Sequence, residues 1–95
     1  MSGNDDTAGI ARGLRAQAIL DDALVGEAFA TIERECIVEW RRAPARDIEG
    51  REHLWLMLKL AERLRAHFES LIANGKLAGE RIAQLEKERR MRLFR

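Results

Sequence analysis

Residues 48–75, IEGREHLWLMLKLAERLRAHFESLIANG, decide the fold. Asp47, immediately before them, is suited to accept hydrogen bonds from the first free amides of a helix, and Glu49 adds negative charge in the first turn, where the helix dipole favours it. Asn74 and Gly75 tolerate a left-handed backbone, so the pattern predicts a helix that stops after Ala73. Between these signals Leu54, Met57, Leu58, Ala61, Leu64, Phe68, Leu71 and Ile72 recur at helical spacing and share one face. Trp55, Leu56 and Leu60 lie outside that stripe. The region around Leu54 to Met57 is therefore apolar almost all round, as in a helix covered on more than one side.

On the N-terminal side, Pro44 cannot continue a helix and biases Ala43 toward extended angles, so residues 43–46 form a tight connection. Before it, Val25, Phe29, Ile32, Cys36 and Trp40 form a second stripe through residues 23–43, capped by Asp21-Asp22. Arg41 and Arg42 fall in the last turn, where basic side chains suit the dipole. Short loops join antiparallel neighbours, so residues 23–73 are expected to fold as a long antiparallel helical hairpin.

Farther out the signals thin. Residues 10–20, IARGLRAQAIL, space Ile10, Leu14 and Ala18 for a short N-terminal helix that is marginal without docking. Residues 1–9 are rich in Gly, Ser, Asn and Asp with no apolar period, and read as disordered. After Gly75 a thin stripe of Leu77, Ile82 and Leu85 predicts a charged C-terminal helix that ends in a basic tail, residues 87–95. The expectation is thus an all-α protein with one helical domain over residues 10–86.

Composition agrees: 46% hydrophobic and 35% charged residues, one Pro and no Tyr favour helices over strands. The longest apolar run, Leu54 to Leu58, is far short of the roughly 20 residues that cross a bilayer, so no membrane role is expected. The acidic N-terminus does not read as a signal peptide, and the protein is expected to be made and kept inside a cell, or packaged from there. Net charge is +1, so any electrostatic function is local.

Chemistry is sparse. Cys36 is the single cysteine and reads as a small buried hydrophobe. His53 and His67 stand about four turns apart and lack the Glu-x-x-His pairing of bundle metal sites, so no metal or cofactor is expected. Glu33, Glu35, Glu39, Glu52 and Glu62 read as a solvated face. With no glycine-rich phosphate loop and no base for a nucleophile, neither catalytic residues nor enzymatic activity are expected. Two surfaces remain. One is the excess apolar patch of Trp40, Leu54, Trp55, Leu56 and Leu60, which suits a homo-oligomer or docking on a larger assembly. The other is the basic end, Lys87, Arg89, Arg90, Arg92 and Arg95, which suits either phosphates or a protein partner.

One resemblance adds to this reading. Residues 27–78 carry Ile32-Glu33 and Trp40-Arg41 before the turn, then Gly50-Arg51-Glu52, the run Leu54 to Leu58, and Gly75-Lys76-Leu77. This pattern resembles small helical proteins encoded among the head and virion-assembly genes of tailed phages and prophages. The resemblance implies a non-enzymatic protein working with capsid, portal or packaging components. The alternative expectation is a nucleic-acid-binding accessory or regulatory protein that uses the basic C-terminal segment.

Overall fold

The computed structural model describes the backbone of residues 2–93 and the side chains of residues 5–93, and every regular element among them is helical. There are three: α1 (Ser2–Asp21), α2 (Ala23–Arg42) and α3 (Ile48–Leu93).

Local chemistry sets the inner boundaries. The Asp22 carboxylate caps α2, its Oδ1 accepting from the Leu24 N–H at 2.9 Å and the Val25 N–H at 3.2 Å. Ahead of Pro44, Ala43 turns to an extended conformation (φ −64, ψ 132) while its N–H still donates to the Glu39 carbonyl. The Asp47 N–H then closes a turn onto the Pro44 carbonyl at 2.9 Å, and its Oδ1 accepts from the Gly50 N–H at 3.0 Å to start α3.

The outer boundaries differ from expectation in three ways. First, α1 is 20 residues long and begins at Ser2, so it takes in residues read from composition as disordered as well as the expected residues 10–20. Second, α3 does not stop at Asn74-Gly75 but runs on to Leu93, 46 residues in all. No described glycine has a positive φ, so Gly75 is no C-cap. Third, residues 87–93 are the last turns of α3 rather than a separate tail; Met1, Phe94 and Arg95 lie outside the described residues.

The contacts cluster in two compact units, one of residues 19–67 and one that combines residues up to 18 with residues from 68 onward.

In the second of these units, α1 meets the later part of α3 through its smallest residues. Gly13, Ala16, Gly75 and Ala78 are buried. A methyl placed on Gly13 would sit 2.9 Å from the Leu71 carbonyl oxygen and 3.1 Å from the Gly75 Cα. A methyl on Gly75 would sit 3.0 Å from the Gly9 carbonyl oxygen and 3.2 Å from the Gly13 Cα. The two backbones touch, which is the physical reason that both corrections above hold together. Gly75 serves a close helix crossing, and the N-terminal residues are held helical by what they pack on. Beyond the glycines, Asp6 is buried against Arg81. Arg81 donates from Nη2 at 2.8 Å and from Nε at 3.1 Å to the same oxygen, Asp6 Oδ1. This hydrogen bond and the opposite charge raise the Arg81 pKa above its ordinary value.

In the unit of residues 19–67, α2 meets the first part of α3 through large side chains. Phe29, Cys36 and Ala61 are buried. Arg65 covers the Phe29 ring at 4.8 Å and pairs with Glu33 at 3.1 Å. Nearer the turn, Arg51 stacks on Trp40 at 4.0 Å and donates from Nη1 to the Trp40 and Ala43 carbonyls at 3.3 and 3.2 Å. A guanidinium there satisfies free carbonyls at the end of α2 and meets the negative end of its dipole.

Candidate functional site

The residues singled out from the sequence fall into three places. Trp40, Leu54 and Trp55 line one apolar cleft of about 110 Å³ with Cys36, Ile37 and Leu58. Leu54 and Leu58 are half-buried there, while both tryptophans keep much of their surface in solvent. Lys59 lies over the Trp55 ring at 5.5 Å.

Leu56 and Leu60 lie on a different face. The buried side of α3 in this unit carries Leu54, Leu58, Ala61 and Arg65, whereas Leu56, Leu60 and Leu64 follow at intervals of four on a neighbouring side. Their exposures are 59%, 68% and 50%, with Met57 beside them at 44%. This corrects the expected inward stripe, which included Met57 and Leu64; both belong to the exposed row. The row is flanked by exposed Glu49, Glu52 and His53 toward its N-terminal end and by exposed Arg63 toward its C-terminal end.

Lys87, Arg89, Arg90 and Arg92 are exposed on the last turns of α3, while Arg95 lies outside the described residues. At 100° per residue, Arg89 and Arg92 fall on one side and Lys87 and Arg90 on roughly the opposite one. Glu86 and Glu88 stand among them, and Glu88 accepts from Gln84 at 3.3 Å. The positive charge therefore encircles the helix instead of forming one face.

Among the carboxylates first taken for a solvated face, Glu33, Glu39 and Glu62 have basic partners, Arg65, Arg42 and Lys59. Among the described residues, no group of three or more His, Cys, Asp or Glu is placed to hold a metal ion. No described helix is long and apolar enough to cross a membrane.

Three features escaped the sequence reading. The Asp6–Arg81 pair joins positions 75 apart, and no local pattern announces it. The double role of Arg51 depends on where the turn places it. The third, the glycine crossing, did leave a signal: Gly9 and Gly13 are one turn apart on α1, as small residues are at Gly75 and Ala78 on α3. No family model matches this chain, and no curated protein or solved structure matches it either.

Proposed function

We propose that this chain is a non-enzymatic structural or assembly protein that acts by joining helix faces. The observation that carries this reading is the exposed row Leu56, Met57, Leu60 and Leu64. Four large apolar side chains at helical spacing form a contiguous stripe, and covering such a stripe is the main source of association energy between helices. In this reading residues 23–73 act as an antiparallel helical hairpin that presents the stripe, and self-association is its first use. The resemblance of residues 27–78 to phage head and virion-assembly proteins supplies the setting, with capsid, portal or packaging proteins as the further partners.

The test is solution mass by light scattering on a size-exclusion column, for the natural chain and for Leu60→Glu. Leu60 is exposed, so the substitution is expected to leave helicity unchanged in circular dichroism while lowering the mass to that of one chain. A natural chain that stays monomeric at every concentration tested and binds no virion protein would sink the reading.

A nucleic-acid-binding reading rests on the four exposed basic residues at the end of α3. It predicts DNA retardation that weakens steeply with salt and disappears when Arg89, Arg90 and Arg92 are replaced together by Ala. The encircling placement of these charges and the acids among them favour the assembly reading instead.

A further inference from the structure

The exposed row on α3 is not symmetric along its length, and the asymmetry says how two copies fit. We infer that the stripe pairs with the same stripe of a second copy, antiparallel about a two-fold axis, so that Leu56 of each chain lies against the partner's Leu60 and Glu52 of each against the partner's Arg63. This rests on the self-association proposed above and adds its direction and register.

The geometry follows from helix periodicity. At 100° per residue, Leu56 and Leu64 lie about 40° to either side of Leu60, and these three mark the centre of the stripe. Glu52 and Arg63 lie on the same flank, roughly 80° and 60° from Leu60. Both are exposed, and neither has an ion-pair partner among the described residues. A two-fold axis across antiparallel helices sets each flank against itself with the order of residues reversed. With the axis at the level of Leu58, Leu56 stands opposite the partner's Leu60, and Glu52 comes within one residue, about 1.5 Å, of the level of the partner's Arg63, twice over by symmetry.

A parallel two-fold pair does the opposite. It sets this flank against the partner's other flank, which carries Met57, so Glu52 and Arg63 meet no opposite charge across the contact. The apolar row alone does not choose a direction, since leucines at intervals of four look alike from both ends. The charges at the two ends of the row make that choice.

Charge reversal tests it on the full chain. Glu52→Arg and Arg63→Glu each replace both attractive pairs with repulsive ones, so each variant alone is expected to dissociate about tenfold more readily in sedimentation equilibrium at low salt. The double variant restores both pairs with their signs exchanged and is expected to associate like the natural chain. In 1 M salt the four proteins are expected to converge, because exposed pairs are screened. Circular dichroism on each variant confirms that the helices persist, as exposed sites allow. An associating natural chain whose single reversals leave the mass unchanged, or whose double variant is no better than the singles, overturns the antiparallel register and leaves self-association standing. A natural chain of monomer mass at every concentration overturns both and assigns the stripe to a different protein.

Discussion

The same helix makes two kinds of contact. Against α1, the later part of α3 presents Gly75 and Ala78 to Gly9 and Gly13, and the backbones approach until a methyl added to Gly13 or Gly75 would meet main-chain atoms near 3 Å. Against α2, the first part of α3 holds its neighbour through side chains. Phe29 and Cys36 are buried, and two arginines, Arg51 and Arg65, lie over aromatic rings from the α3 side. The first contact draws its strength from dispersion between atoms that are already touching, so added atoms do the harm. In the second, the energy resides in large side chains, so missing atoms do it.

The largest expected effect comes from deleting at the second contact. Phe29 is 7% exposed, and Phe29→Ala should cost about 3–5 kcal/mol, the range for aromatic residues removed from cores. Arg65 also loses the ring it covers. Urea denaturation followed by circular dichroism measures the loss, and hydrogen exchange should show faster opening in residues 19–67 first. A cost near 1 kcal/mol would mean that Phe29 is dispensable and that the two contacts do not differ in kind.

The converse is an addition at the first contact. Gly13→Ala gains about 1 kcal/mol of helix propensity and incurs an overpacking cost of about 1–3 kcal/mol, because the new methyl meets the Leu71 carbonyl and the Gly75 Cα. Neither of those atoms belongs to a side chain that can swing away. A net loss of roughly 1 kcal/mol is expected, with faster amide exchange in residues 5–18 and little change in residues 23–42. Equal or greater stability in the same denaturation experiment would show that the helices separate at no cost and that the close crossing is incidental.

The two contacts also differed in how far they could be read beforehand. Asp22, Asp47 and Pro44 act on backbone groups within a few positions of themselves, so the starts of α2 and α3 and the end of α2 were visible in the sequence. Phe29 and Cys36 announce themselves by apolar spacing. The contact to α1 is built of residues whose meaning depends on the partner. A glycine after an asparagine reads as a helix stop unless another backbone is known to lie against it, and Gly13 is that backbone. Asp6 reads as a polar terminus until Arg81 is placed beside it. At the candidate surface, the row of Leu56, Leu60 and Leu64 was present as a spacing of four. Which apolar side of α3 faces outward was set by where α2 packs, and that turned Met57 and Leu64 from core to surface.

The smallest effect sharpens the comparison with one substitution made in two settings. A methyl placed on Gly26, in α2, meets nothing within 4 Å, so Gly26→Ala changes only the backbone entropy of the unfolded chain and the intrinsic preference for helix. It should stabilise the protein by about 0.5–1 kcal/mol and raise the thermal midpoint by a few degrees. Gly75→Ala gains the same preference but sets its methyl 3.0 Å from the Gly9 carbonyl oxygen and 3.2 Å from the Gly13 Cα, so it should lower the midpoint instead. Paired thermal scans of the two variants read the sign directly. Because propensity is common to both, the difference between them isolates the cost of separating two touching backbones, and two gains of similar size would place the stabilising energy of α1 somewhere other than the glycines.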